Sequence, residues 1–225
     1  MIDFEHASYS YSDGNVFSDV TLSISSGGFY FLTGPSGSGK TTFLKICYGA
    51  LIPTSGTVRL FGERLENISR DNIARIRRRV GVIHQDCQFI DHMQVLENIL
   101  LPLTVSRRDG RVGRVNLEEL LRWVGLKSRA NAFPPELSGG ERQRAALARA
   151  VIMSPEIIIA DEPTGNIDME MSLRLLQLLI ELNRMGKTIL FATHDLSLIR
   201  QVKKQVQARV LRIFGYRISL AGTDL

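Results

Sequence analysis

Residues Phe29 to Thr42 of this sequence read FYFLTGPSGSGKTT and carry the most specific structural signal in the chain. The apolar run Phe29 to Thr33 predicts a strand, and a helix is predicted from about Thr41 to Gly49. Between them, Gly34 to Thr41 match the pattern GxxxxGK[ST], a glycine-rich loop that presents backbone N–H groups to phosphate oxygens. A strand, this loop and a helix in succession are the context that a phosphate-binding loop requires.

The residue types in this loop suit a bound triphosphate. Glycines let the backbone curl, and the helix that follows presents its positive end to an anion. Lys40 is placed to reach the β- and γ-phosphates, and Thr41 can offer a hydroxyl to Mg²⁺. The alternative, a glycine-rich turn with a solvated lysine, leaves the flanking strand and helix unexplained. We predict a nucleotide site made of Gly34, Pro35, Ser36, Gly37, Ser38, Gly39, Lys40, Thr41 and Thr42.

Two further predicted strands end in polar residues that such a site could use. The strand Ile157 to Ala160 is followed by Asp161 and Glu162, and the strand Thr188 to Thr193 is followed by His194. Ligands of an open parallel sheet collect outside the carboxyl ends of its strands, so these residues are expected to meet the loop. Asp161 is the predicted Mg²⁺ ligand, and Glu162 is placed to polarise an attacking water. The alternative for Glu162 is a carboxylate at the start of a helix.

Length and composition predict one α/β domain over residues 1–225. Hydrophobic residues make up 44% of the chain and charged residues 23%, as in ordinary globular proteins. Strand-like runs alternate with helical patterns, which favours a largely parallel sheet, and a helical subdomain is predicted between about Gln88 and Arg149. No apolar run reaches eighteen residues, since the best candidate near Ile99 is interrupted by Pro102 and followed by Arg107 and Arg108.

The N-terminus, the cysteines and the net charge bear on the location of the protein and on its possible ligands. Met1 to Glu5 lack the pattern of a secretory signal, which predicts a cytosolic protein. Cys47 and Cys87 show neither zinc-site nor disulfide spacing. Net charge is +5, with basic clusters at Arg75 to Arg79 and in the tail. These clusters are either solvated faces or sites for anionic lipid or nucleotide. No aromatic residues interleave them, so no nucleic acid partner is expected.

A short motif in the predicted helical region points to one family. Leu137-Ser138-Gly139-Gly140-Glu141 resembles the signature motif of ABC-transporter ATP-binding domains. Tyr11 upstream of the phosphate loop, Gln85 after a strand near Val80 and His194 appear in that family's order, and the resemblance covers nearly the whole chain. It implies the α/β fold of a P-loop NTPase, with a mainly parallel sheet core, a small antiparallel β part and a helical subdomain.

The resemblance implies a role for each motif residue. Tyr11 would stack on adenine, although Tyr9 competes with it for this role, and Lys40 and the loop backbone would hold the phosphates. Thr41, Gln85 and Asp161 would hold Mg²⁺. Glu162, His194 and Gln85 would form the catalytic group around water. The signature residues, Ser138 and Gly140 above all, would reach the γ-phosphate of a second copy, and Asp168 would contact that copy across the dimer. ATP and Mg²⁺ are the expected ligands.

Departures from the broad pattern indicate a subgroup of the family. The signature ends in Glu141 where glutamine is commoner, and the contact loop reads Gly165-Asn166-Ile167-Asp168. Both features resemble ATPases that serve mechanotransmitting or lipoprotein-handling membrane partners. The stretch from Asn183 to Leu196 looks most like the FtsE-type cell-division ATPases, which implies an integral membrane partner of the FtsX type and a cytoplasmic location on the inner face of the cell membrane.

Other functions remain open on these residues. A lipoprotein-exporting or macrolide-type ABC transporter shares almost every motif, and a soluble ABC ATPase in DNA repair or translation is a more distant alternative. The resemblance also implies that the membrane partner docks near Gln85, along Asp86 to Met93, where Phe89, Ile90 and Met93 could anchor it. The alternative is that these three side chains pack inside the helical region.

Overall fold

Ten strands form two sheets in the structure, a computed structural model that describes residues 1–106, 117–165, 167–203 and 205–221. In chain order the strands are β1 (Ile2–Tyr11), β2 (Gly14–Ile24), β3 (Phe29–Thr33), β4 (Ser55–Leu60), β5 (Glu63–Arg64), β6 (Val80–Ile83), β7 (Ile157–Asp161), β8 (Thr188–Ala192), β9 (Ala208–Phe214) and β10 (Arg217–Leu220). Three residues named in the sequence analysis lie outside the described ranges: Arg107, Arg108 and Asn166.

The larger sheet has the order β10-β9-β3-β8-β7-β6, and the smaller has the order β2-β1-β4-β5. All neighbours from β9 to β6 are parallel, whereas β10 and every pair of the smaller sheet are antiparallel. β3, β7 and β8 are buried along their whole length, as expected of a parallel sheet covered on both faces. The prediction of a mainly parallel core with a small antiparallel part is confirmed.

Alternate residues of the central strands face two separate hydrophobic clusters. Phe31 and Phe191 belong to one cluster with helices of the C-terminal half, and Leu32 and Leu190 belong to the other with the first helix and the smaller sheet. Side chains of a strand point alternately to opposite faces, so each strand contributes to both clusters. The sheet therefore holds its strand ends rigidly between two packed layers.

Seven helices are described: α1 (Lys40–Cys47), α2 (Arg70–Arg77), α3 (Val95–Val105), α4 (Leu117–Trp123), α5 (Gly139–Val151), α6 (Met169–Arg184) and α7 (Leu196–Lys203). The ends of α1 lie within two residues of the predicted helix. Between Gln88 and Arg149, the described residues contain helices and no strand, and α3 continues through Pro102 to Val105. That this region is a distinct subdomain of a single domain over residues 1–225 stays a prediction. No helix in the described ranges is long and apolar enough to cross a membrane.

Candidate active site

The phosphate loop lies between β3 and α1, where its glycines allow a backbone that other residues would strain. Gly39 caps α1 with φ +96°, and a Cβ there would come within 2.3 Å of the Val16 side chain. Lys40 is buried, and its Nζ donates to the carbonyl oxygens of Gly34 at 3.0 Å and Pro35 at 3.2 Å. The lysine is therefore held across its own loop, where a phosphate group can take over these contacts.

The acidic pair lies at the end of β7. Glu162 Oε1 is 3.3 Å from Lys40 Nζ, and Glu162 Oε2 is 3.0 Å from His194 Nδ1. No helix begins at Glu162, since α6 starts at Met169, so the alternative of a helix-start carboxylate is wrong. Glu162 has φ +46°, a left-handed conformation that costs free energy in a residue with a side chain and that surrounding contacts must maintain. The backbone is thus shaped to aim this carboxylate between the lysine and the histidine.

Parallel pairing brings four strand ends to one edge of the sheet. Ala192 pairs with Leu32 on one side and with Asp161 on the other, and Ala160 pairs with Ile83. The residues that follow these strands line one cleft of about 700 Å³ together with the phosphate loop. Its described lining residues are Pro35, Ser36, Gly37, Gly39, Lys40, Thr41, Thr42, Gln85, Glu162, Gly165 and His194.

Asp161 provides a place for a cation beside this cleft. Its side chain is buried, and its Oδ1 atom has no hydrogen-bond partner. Burial raises the pKa of Asp161, a hydrogen bond with Thr41 opposes the rise, and the neighbouring Glu162 charge adds to it. A bound cation would satisfy the unpaired oxygen. The oxygen donors Asp161 and Thr41, with the side-chain carbonyl of Gln85 on the cleft wall, fit Mg²⁺, which binds through one or two carboxylates plus substrate phosphates.

The two tyrosines near the cleft lie in different environments. Tyr11 is 45% exposed at the end of β1, and its hydroxyl is 3.4 Å from Thr42 Oγ1. Tyr9 is buried and packs edge-on against Tyr11, with ring centroids 5.0 Å apart, and against Phe17. Only the Tyr11 ring has a free face next to the phosphate loop, so it is the one available to stack on a base.

The signature motif caps a helix at a separate place on the molecule. Ser138 accepts a hydrogen bond from the Glu141 N–H, and Glu141 accepts one from the Ser138 N–H at 2.8 Å, so the two residues form a capping box at the start of α5. Glu141 also pairs with Arg129 at 2.9 Å. None of the described residues that line the cleft comes from Leu137–Glu141. Asp168 caps α6 by accepting from the Met171 N–H at 2.8 Å, a local role the sequence analysis missed.

Two residues of α5 that the sequence analysis did not single out hold the segment after Gln85. Gln143 is buried and donates to the Gln85 carbonyl at 3.2 Å, and Arg149 donates to the carbonyls of Cys87 and Gln88. Phe89 is partly buried and lies below the guanidinium of Arg149, 4.6 Å from its ring centroid. These contacts join residues about sixty positions apart, so no local pattern could have revealed them.

Comparison with known proteins agrees with this geometry. Residues 17–165 match the family model described as ABC transporter. The chain is 38% identical to the cell division ATP-binding protein FtsE of Mycobacterium tuberculosis, covering 92% of this chain and 90% of the relative, and 40% identical to FtsE of Escherichia coli K12, covering 88% and 90%.

Solved structures show the same fold. A dimeric ATP-binding cassette in a post-hydrolysis state with bound ADP and Pi is 32% identical, with a TM-score of 0.85 and 97% of each chain covered. With the phosphate loop, the acidic pair and the signature helix in one fold, the chain belongs to the ABC transporter family, in which it is an FtsE-like ATP-binding protein.

Proposed function

We propose that this chain is the ATP-hydrolysing subunit of a membrane-attached complex that acts in cell division, and that it works as a pair of identical copies. The observation that carries the chemistry is the contact of one carboxylate, Glu162, with both Lys40 and His194 at the edge of the phosphate cleft. The matched relatives are cell division proteins, which favours this function over a lipoprotein-exporting or macrolide-type transporter and over DNA repair or translation.

Hydrolysis follows from the placement of these groups. Lys40 and the N–H groups of the loop bind the β- and γ-phosphates, and Tyr11 stacks on adenine. Glu162 accepts a proton from water, whose oxygen attacks the γ-phosphorus as the bond to the β–γ bridging oxygen breaks. His194, on the far side of Glu162, orients that water and the γ-phosphate. Mg²⁺, held by Thr41, Gln85 and Asp161, would offset the charge that develops on the phosphates.

A second copy completes the site. The cleft of one chain lacks the signature residues, whereas the capped start of α5 presents unpaired N–H groups and the Ser138 hydroxyl, which suit an anion. We propose that Leu137, Ser138, Gly139, Gly140 and Glu141 of each copy close the cleft of the other over the γ-phosphate. Asp168, at the exposed start of α6, would contact the partner copy. The dimeric cassettes of similar fold support this arrangement.

The membrane partner, which we propose to be of the FtsX type, would dock beside Gln85 and hold the chain at the inner, cytoplasmic face of the membrane. A groove of about 700 Å³ lies next to the segment Asp86 to Met93, between α2, β6, α3 and α5. Apolar residues such as Val82, Leu101 and Val105 line it together with arginines, and no Asp or Glu is among its described lining residues. A partner segment with both apolar and acidic side chains fits such a surface.

The decisive test is Glu162→Gln, which removes the base and keeps the size of the side chain. We expect ATP to bind as in the native protein and hydrolysis to fall by roughly 10²–10⁴-fold, the usual contribution of a general base. The variant should also accumulate as an ATP-bound dimer, because closure no longer leads to hydrolysis. Glu170→Gln, at an exposed acid on α6, is the matched control and should behave as the native chain. Native hydrolysis by Glu162→Gln contradicts the catalytic assignment, and a monomer at saturating ATP and Mg²⁺ contradicts the shared site.

A further inference from the structure

The contacts of Arg149 are unusual for a cation, because they are two backbone carbonyls and an aromatic ring of the same loop. Its guanidinium donates to the carbonyl oxygen of Cys87 and, at 2.8 Å, to that of Gln88, and it covers the ring of Phe89. In the described part of the chain, no carboxylate forms an ion pair with it. Burial lowers the pKa of Arg149, so the charge is held at a cost in free energy.

The loop that Arg149 holds has a backbone that needs support. Cys87 and Gln88 are consecutive residues with φ of +57° and +48°, both in the left-handed region. Side chains disfavour this conformation, and it persists where surrounding contacts fix it. The two carbonyls bound by Arg149 belong to these two residues. Gln143, on the same helix, binds the carbonyl of Gln85 at 3.2 Å. Helix α5 therefore fixes the backbone path that leads from Gln85 to Phe89.

We propose that Arg149 is a positioning residue for ATP hydrolysis. By holding the carbonyls of Cys87 and Gln88, it fixes the position of Gln85. This inference rests on the role of Gln85 given under the proposed function. Since α5 begins at the signature residues, the same helix would tie Gln85 of one site to the signature motif that closes the other site. Arg149 also lines the groove beside α3, so a partner segment in that groove would touch the residue that positions Gln85.

The test compares Arg149→Met with Arg149→Lys and with the control Arg122→Met, which changes an exposed arginine on α4. We expect Arg149→Met to lower kcat by roughly 10–100-fold, the cost of a misplaced catalytic group, with KM for ATP unchanged because the phosphate loop and Tyr11 are intact. Arg149→Lys should recover part of kcat, since one ammonium can bind a carbonyl but lacks the planar fork that reaches two. Arg122→Met should match the native chain.

Gln85→Ala, measured in parallel, separates this inference from the function on which it rests. A native kcat in Gln85→Ala overturns the role of Gln85 and this inference with it. A low kcat in Gln85→Ala together with a native kcat in Arg149→Met overturns only the positioning role. Hydrogen exchange distinguishes positioning from general destabilisation: faster exchange confined to residues 85–89 in Arg149→Lys supports the proposal, and faster exchange throughout the chain contradicts it.

Discussion

Lys40 shows how a single residue connects the fold to the ligand. It is buried, and among the described residues its ammonium contacts two loop carbonyls and the Glu162 carboxylate, which surround the place where phosphate is expected. A buried ammonium is costly unless it is paired, and these three partners keep the Lys40 charge at the place where an anion is expected. In the proposed function, phosphate would replace Glu162 as the partner of Lys40 and leave that carboxylate available to water.

Replacing Lys40 by alanine should therefore abolish most nucleotide binding. A hydrogen bond to a charged group contributes about 1.5–3 kcal/mol, which corresponds to a loss of roughly tenfold to a hundredfold in affinity for ATP. Titration calorimetry with ATP measures the effect. Lys45→Ala, on the same helix but outside the cleft lining, is the control and should bind ATP normally. Undiminished affinity in Lys40→Ala would show that the loop is not the phosphate site.

At the scale of residues, the sequence predicted which residues line the site better than it predicted which side chains pack around them. The phosphate loop, Glu162 and His194 could be named because strand ends of a parallel sheet converge, and the structure brings them together. Tyr11 was predicted for adenine on the family resemblance, but its advantage over Tyr9 could not be derived from the residues, since exposure depends on Phe17, which packs against Tyr9 from the neighbouring strand. The hydrogen bonds from Gln143 and Arg149 to the carbonyls of Gln85, Cys87 and Gln88 could not be predicted either, because they depend on how α5 packs against a loop distant in sequence.

Among the elements, the connection between β6 and α3 depends on one buried side chain. Asn98 of α3 is fully buried and accepts from the Ile90 N–H at 2.8 Å, while its amide donates to the carbonyls of Ile90, Met93 and Gln94. One side chain thus adds four hydrogen bonds to the backbone of Ile90, Met93 and Gln94, which lie outside the regular helices and strands. The same segment leads from Gln85 into the helical region, so Asn98 fixes one end of it as Arg149 fixes the other.

Asn98→Ala should destabilise the protein and loosen this connection. Removing the Asn98 amide takes a hydrogen-bond partner from the Ile90 N–H and from the Met93 carbonyl, which costs about 2 kcal/mol and lowers the melting temperature by roughly 4–8 °C in a chain of this size. Thermal unfolding monitored by circular dichroism provides the measurement. Thr104→Ala, at an exposed position of the same helix, is the control and should change stability by no more than about 0.5 kcal/mol. Equal melting temperatures for Asn98→Ala and the native chain would contradict the assigned role.

Element types were easier to predict than their ends. The strands β3, β7 and β8 and the helix α1 were expected within a residue or two, because apolar runs and helical spacing are local signals. Pro102 interrupts the apolar run near Ile99 in the sequence, yet helix α3 continues past this proline for three more residues. A proline removes one N–H donor near the end of the helix, and packing of α3 against its neighbours, including Ile99 in the core, offsets that loss.

At the scale of the whole molecule, the groove next to Asp86 to Met93 is the proposed docking site of the membrane partner. Phe89 was a predicted anchor for the membrane partner, but it is partly buried under Arg142 and Arg149 and packs against the main core cluster. A charged residue at Phe89 would therefore disturb the fold as well as any docking. Val105 is 74% exposed at the rim of the groove, and Arg78 is exposed on its opposite wall, so both can be changed with little effect on the core.

We expect Val105→Glu and Arg78→Glu to abolish capture of an FtsX-type membrane protein while leaving the fold and the basal hydrolysis of ATP intact. A carboxylate at Val105 removes an apolar contact, and one at Arg78 reverses the charge that would attract an acidic partner segment. The measurement is co-purification of the partner from detergent-solubilised membranes. Met185→Glu, at an equally exposed apolar residue outside the groove, is the matched control. Retention of the partner by both groove variants would contradict docking there.

The same variants in cells distinguish the two membrane functions, because one ATPase cycle can serve either partner. Loss of the partner with filamentous, undivided growth supports the division function. Mislocalised lipoproteins with normal division would assign the chain to lipoprotein export.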